Sequence, residues 1–281
     1  VSTPPTPRPL RRRHRSRRLA LLAVGLVALV AGACELTGGG RDSIETPVAA
    51  AAGDAGAATT TTAATTTSIE VNDLLAPPPT VVPELSTENG LAPQIRRVDT
   101  TDRVIFITID DGQLRDPAVL DYMVGLGLPF TAFLTEPMAK ADPEFWQGSQ
   151  SAWGIIETHT INHPDLRKAS EATQRREICE PADTFEELFG RRPTLFRPPY
   201  GNSSDSVRRI AASCGYDAVV LWTGSTNNGK LTMQDVELEP GDIILMHYRD
   251  TLRADLDDVL ARARAEGFTI GRLQDYLSPG R

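Results

Sequence analysis

Seven short runs rich in β-branched and aromatic residues recur between Val104 and Ile270, and helix-length amphipathic stretches separate most of them. The runs occupy 104–109, 130–134, 154–156, 194–196, 218–221, 242–246 and 268–270. Neighbouring strands joined through helices run parallel, because a tight hairpin can join only antiparallel ones. The intervening stretches carry helix boundaries of their own. Asp116-Pro117 and Asp142-Pro143 each offer an N-cap followed by a first-turn proline. Ser170 opens a helix that stops at Gly190, Ser204 opens one that stops at Gly215, and a further helix covers 254–266. The pattern predicts an α/β domain with a parallel sheet covered by helices.

The polar residues decide between an open sheet and a closed one. Asp110-Asp111, His159, Arg197, Trp222 and His247 each stand where a predicted strand stops. In a parallel barrel those C-terminal ends converge on one face, so five separated segments build a single site. The expected fold is therefore an irregular (β/α)7-type barrel.

Two segments precede that domain. In residues 1–33 the arginines 8, 11, 12, 13, 15, 17 and 18 lead, without an acid, into the apolar stretch 19–30 and then Ala31-Gly32-Ala33. This is the pattern of an export signal. Ala33-Cys34 resembles a bacterial lipoprotein cleavage site, which makes Cys34 a lipidation candidate; ordinary cleavage and an uncleaved anchor are the alternatives. The protein is accordingly expected to be exported, as a cell-surface lipoprotein, a membrane-anchored protein or a secreted one, with membrane contact only through this end. Residues 34–93 are rich in Ala, Thr, Gly and Pro and poor in large apolar groups, which predicts a disordered, flexible linker. The folded domain is expected at 94–281.

Removing residues 1–33 takes away seven of the 29 basic residues and none of the 37 acidic ones, leaving a net charge of −15. Such a surface repels polyanions, and no basic run interleaved with aromatics is present, so nucleic acid is excluded as a partner. Oligomeric state leaves no trace in the sequence. Beyond Cys34 the only cysteines are Cys179 and Cys214, and an exported domain permits them to pair as a disulfide.

Only three histidines lie beyond the leader: His159, His163 and His247. All three stand at or just beyond predicted strand ends, as the paired acids Asp110-Asp111 do, a constellation that reads as a metal hydrolase site. Four segments also carry a family resemblance. Thr108-Ile109-Asp110-Asp111-Gly112, His159-Thr160-Ile161-Asn162-His163-Pro164, Arg197-Pro198-Pro199-Tyr200-Gly201 and Leu245-Met246-His247 resemble, in order, the motifs of the polysaccharide deacetylases, the NodB-homology or family 4 carbohydrate esterases. The resemblance spans about Arg103 to Leu277 and implies the NodB-homology fold.

The resemblance implies a set of roles. Asp111, His159 and His163 would hold a divalent cation, zinc by its donor set, with positions left for water and a substrate oxygen. Asp110 would act as general base on the attacking water, oriented and kept charged by Arg197. The backbone N–H of Tyr200, fixed by Pro198 and Pro199, would meet the oxyanion, and His247 would protonate the departing amine. Trp222 has two readings, a sugar-stacking wall or core packing. Where the family places an Asp-Trp pair to support the histidine and wall the pocket, this chain has Asn228-Gly229. That leaves Asn228 as a substrate-binding candidate and Asp235 as the substitute acid. Gln113 stands where a proline is frequent. The implied substrate is an N-acetylated polysaccharide, peptidoglycan first and chitin-like oligomers next. A carbohydrate-binding scaffold without turnover and a polysaccharide O-acetyl esterase are the alternatives.

Overall fold

The computed structural model describes residues 74–279. The expected export signal, Cys34 and most of the expected linker lie outside the described residues.

The strands are β1 (Glu84–Leu85), β2 (Gln94–Ile95), β3 (Val104–Asp111), β4 (Phe130–Leu134), β5 (Gly154–Thr158), β6 (Leu195–Phe196), β7 (Ala218–Val220), β8 (Gly224–Thr226), β9 (Leu231–Met233), β10 (Ile243–His247), β11 (Thr269–Ile270) and β12 (Ser278–Pro279). The helices are α1 (Pro117–Gly125), α2 (Glu136–Ala141), α3 (Pro143–Ser151), α4 (Glu171–Phe189), α5 (Asp205–Ser213) and α6 (Leu252–Ala265). The main sheet runs β2-β7-β6-β5-β4-β3-β10-β8-β9, with β11 alongside the start of β3. Every pairing in it is parallel except β8 with β9. The sheet curls into a half-barrel, and a lone antiparallel bridge from Arg97 to Asp242 brings the segment after β2 against the entry to β10. The expected α/β fold with a curled, mostly parallel sheet is thus what the chain forms, as a half-barrel.

Burial explains the sequence of the central strands. All of β4 and all but the last residue of β3 are buried, which is why they read as continuous apolar runs rather than alternating ones. Inside the helix layer, Trp146 is fully buried, donates from Nε1 to the Met138 carbonyl at 2.9 Å and meets Tyr248 edge-to-face. Asp116, Asp142, Ser170 and Ser204 cap their helices as the sequence implies. Cys179 of α4 is bonded to Cys214 at the end of α5, tying together the two helices that flank β6.

Two expectations need correction. Residues 74–93 fall within the predicted linker, yet they lie along the domain. Leu74 is 5% exposed in the core, the Ala76 N–H donates to the Ile270 carbonyl, and β1 pairs with β12. A few apolar side chains suffice to dock such a segment, and an average over a Thr- and Pro-rich stretch conceals them. The other correction is at 224–233, where a β8–β9 hairpin replaces an unassigned stretch. Its turn is Asn228-Gly229, with φ of 51° and 73° and reciprocal bonds between Asn227 and Lys230. This is the two-residue hairpin turn that Asn-Gly favours, because both residues need left-handed backbone.

Candidate active site

The C-terminal ends of the strands carry the site. Asp110 and Asp111 close β3, His159 follows β5, Arg197 follows β6, Trp222 lies just past β7, and His247 closes β10. Parallel strands in a curled sheet point their ends the same way, so residues up to 137 positions apart in sequence share one rim.

Arg197 is the fixed centre of this rim. Its side chain is wholly buried, and it donates through Nη1 to Asp110 Oδ1 at 2.7 Å and to Thr108 Oγ1 at 2.8 Å. Nε and Nη2 donate to the carbonyls of Val220 and Leu221, each at 3.2 Å, and the guanidinium lies 4.2 Å from the Phe133 ring centroid. Burial pulls the guanidinium pKa down while the Asp110 carboxylate pushes it up. A buried ion pair survives only when its remaining donors are met, and this one has a hydroxyl and two carbonyls.

Beside it, Asp111, His159 and His163 each offer one ligand atom, all within 4.8 Å of one another. The Asp111 Oδ1 atom lies 3.7 Å from His159 Nε2 and 3.6 Å from His163 Nε2. Tetrahedral zinc with arms of ~2.0–2.2 Å separates its ligand atoms by about 3.3–3.6 Å, close to the two separations between the carboxylate and the imidazoles. The tautomer agrees. His159 Nδ1 lies 2.7 Å from the Arg197 carbonyl, and a carbonyl only accepts, so Nδ1 carries the proton and Nε2 keeps its lone pair. Burial lowers the His159 pKa, against the pull of Asp110, which favours the neutral ring that ligation requires.

The backbone here is unusual. Of the seven non-glycine residues with positive φ among the described residues, four stand at this rim: Asp111 (75°), Thr160 (72°), His163 (54°) and Tyr200 (60°). Such conformations cost about 1–3 kcal/mol each and persist where surrounding structure enforces them. Gly112 shows one enforcement: φ is 84°, and an added Cβ would lie within 3.1 Å of Leu134, Trp146 and Met138.

Comparison with known proteins agrees with this geometry. A family model for polysaccharide deacetylase matches residues 97–219. An uncharacterized protein of Streptomyces coelicolor is 35% identical over 194 residues, covering 66% of this chain and 78% of that protein. The chain belongs to the polysaccharide deacetylase family. The peptidoglycan-N-acetylmuramic acid deacetylase PdaA of Bacillus subtilis is 27% identical over 193 residues, 64% of this chain and 73% of that protein. A solved CE4 family pseudoenzyme from Bacillus anthracis shares the fold, with a TM-score of 0.58 at 20% identity over 66% of this chain and 69% of its own.

The remaining family-implied residues of this deacetylase-family chain divide into two groups. Tyr200 is at the site: its ring meets that of His163 edge-to-face at 4.7 Å between centroids, and Pro198 and Pro199 precede it without N–H groups of their own. Trp222 is partly buried beside it, packed so closely that a Cβ on Gly201 would lie 3.0 Å from its ring. His247 stands in register with Asp110 on the adjacent strand. Burial lowers its pKa, while Asp110 and Asp111 pull the other way.

Asn228 and Asp235 are differently placed. Asn228 is an exposed hairpin-turn residue, and the Gly229 N–H is held by Asp255 Oδ1 at 2.7 Å. Asp235 pairs with Arg97 at 2.9 Å, near Asp242. Asp242 enters β10 and His247 ends it, about five residues or ~16 Å away. Asp235 therefore cannot support His247, and among the described residues no side chain hydrogen-bonds that imidazole.

Sequence reasoning passed over Glu177. This buried α4 residue accepts from the backbone N–H groups of Ile161 (3.1 Å) and Asn162 (2.8 Å) and from Asn162 Nδ2 (2.8 Å). Burial would raise its pKa, but these hydrogen bonds outweigh it and the pKa is lowered. The carboxylate thus pins the loop between His159 and His163 from behind. An acid fourteen residues past His163, on the inward side of a helix, was the available signal.

Proposed function

We propose that the protein removes N-acetyl groups from amino sugars of a cell-wall polysaccharide outside the cytoplasm, with peptidoglycan as substrate. The observation that carries this reading is the meeting, on one rim, of the Asp111-His159-His163 tripod with Asp110, next to Asp111 at the end of β3, and with His247 at the end of the adjacent β10. Bound there, a divalent cation, zinc by its two imidazoles and one carboxylate, supplies Lewis-acid polarisation of the acetyl carbonyl and makes water a nucleophile near neutral pH.

The chain's own residues do the rest. Asp110, held by Arg197 through one oxygen, takes a proton from the attacking water with the other. The Tyr200 N–H donates to the oxygen that becomes negative as the carbonyl carbon turns tetrahedral. His247 then delivers a proton to the amine as the C–N bond breaks, leaving acetate and a free amino sugar. Trp222 forms part of the wall beside Tyr200. Two peptidoglycan deacetylases among the relatives support the substrate class, one described as acting on N-acetylmuramic acid and one on N-acetylglucosamine.

A second reading rests on one observation. Because among the described residues no side chain supports His247 by a hydrogen bond, a glycan-binding protein of the same fold with feeble turnover is the alternative. Acetate release from purified peptidoglycan and from N-acetylglucosamine oligomers distinguishes the two. The deacetylase reading expects release that chelation abolishes, that added zinc restores, and that Asp110→Asn or His247→Ala removes. Glycan binding without acetate on either substrate would overturn it.

A further inference from the structure

Trp153 and His159 flank opposite ends of β5, so what Trp153 borders is the rim remote from the candidate active site, about 20 Å away along the strand. There a cavity of about 220 Å³ opens between Trp153, Pro129, Leu75, Ile270, Arg272 and Asp275. Three features of it are otherwise unexplained. Trp153 is 57% exposed, although large aromatics normally bury most of their surface. It also stands just past the C-terminal end of α3 with φ of 69°, a position where glycine is the ordinary choice and a bulky side chain is strained. Finally, the Arg272 side chain, 31% exposed, lines the cavity with its guanidinium 5.4 Å from the Trp153 centroid and its Nη1 3.9 Å from Asp275 Oδ1, a loose pairing, while its Nε is buried without any hydrogen-bond partner.

These features define a ligand. An exposed indole offers a flat apolar surface, the partly exposed Arg272 guanidinium offers N–H donors, and the Asp275 carboxylate accepts from a donor. A purely apolar guest would leave Arg272 unmet. An anion would meet Asp275 and a strongly acidic protein. A neutral pyranose ring has all three counterparts: a C–H face to stack, ring and hydroxyl oxygens to accept, and hydroxyls to donate. We propose that this cavity is a second saccharide-binding site, taking one hexosamine unit of a glycan strand on the face opposite the candidate active site. It goes beyond the deacetylase reading, on which only the choice of a hexosamine rests. Two sites on opposite rims let the domain hold one strand while the other rim works on a neighbour, raising local substrate concentration without new contacts at the cleft.

The test uses the full chain, the N-acetylglucosamine tetramer and purified peptidoglycan. Titration with the tetramer should shift the Trp153 indole N–H resonance saturably, and Arg272→Met should weaken that saturation about fivefold, the scale of one lost hydrogen bond. Trp153→Gly carries the sharper signature. It relieves the left-handed strain, so the thermal midpoint should stay level or rise, while the fraction that sediments with peptidoglycan falls. A Trp153 resonance unmoved by the tetramer, or a Trp153→Gly variant that sediments as the parent does, overturns the proposal. Because neither readout involves acetate, a moving resonance without turnover would sink only the deacetylase reading.

Discussion

His247 and Asp110 stand directly opposite one another at the ends of neighbouring parallel strands, β10 and β3. The proposed acid and the proposed base therefore share one electrostatic environment, and Asp110 is the larger of the two charges that hold up the His247 pKa against burial. Asp110 also binds Arg197, so one carboxylate links three of the residues proposed to carry the chemistry.

That linkage makes Asp110→Asn doubly damaging. It removes a general base, a loss of about 10²–10⁴ in kcat, and it takes away the charge that opposes burial at His247. The expected result is a rate fall of that size with the His247 pKa lower still. Steady-state kinetics and an NMR titration of the imidazole in the metal-free protein check the two halves separately.

Arg197→Met should cost stability as well as rate. Removing one partner of a buried ion pair leaves the other uncompensated, at about 3–5 kcal/mol. Denaturant unfolding should show that loss, and the double variant Arg197→Met with Asp110→Asn should recover part of it. A single variant as stable as the parent would contradict the pairing.

Glu177 is expected to act on the cation through the loop it pins. Replacing the carboxylate by Gln puts an N–H₂ group against donors, so Glu177→Gln should weaken zinc binding about 10–100-fold, the usual effect of losing a group that orients ligands. Hydrogen exchange at the Ile161 and Asn162 amides should speed up in the metal-free protein as well. Unchanged protection there would show that Glu177 does not hold the loop.

The metal-free protein should lose stability on acidification. His159 has a folded pKa below its unfolded value of about 6.5, so the unfolded chain binds more protons between the two. The His159 contribution is complete above about pH 6.5 and is lost as pH falls toward the folded pKa, with a slope of at most about 1.4 kcal/mol per pH unit. Buried Glu157, whose pKa is raised by burial, has the opposite sign, its contribution lost as pH rises. The measurement is therefore the difference in melting temperature between parent and His159→Gln across pH 5–7, which should widen toward neutral pH.

Asn228 should prove a turn residue. Asn228→Gly keeps left-handed backbone available and should leave both stability and acetate release unchanged, whereas Asn228→Ala should cost about 1 kcal/mol with activity retained. A fall in glycan turnover in the Gly variant would return Asn228 to the substrate site.

The site residues were legible because each sits on a local signal: an apolar run stops, and an acid, imidazole or guanidinium follows it. The helices were legible through their caps, from Asp116 to Ser204. Glu177 was not, since its meaning lies in three N–H donors presented by Ile161 and Asn162, sixteen and fifteen residues upstream. Asn228-Gly229 was read through its family position, which drew attention from the plain hairpin dipeptide that it forms. The docking of 74–93 escaped because its backbone bonds go to distant segments, the Ala76 N–H to the Ile270 carbonyl and the Ala92 N–H to the Arg208 carbonyl, each more than a hundred residues away.

The sequence by itself determined the α/β alternation, the parallel sheet and the set of candidate catalytic and ligating side chains, because periodicity, caps and strand ends are local properties of the chain. Only the tertiary structure decided which atoms meet: His159 with its Nε2 free, Arg197 gripping Asp110, Glu177 behind the loop, Asp235 held at the far rim. Those relations arise when the curled sheet brings distant segments to one edge, and burial there dictates which polar groups must satisfy one another.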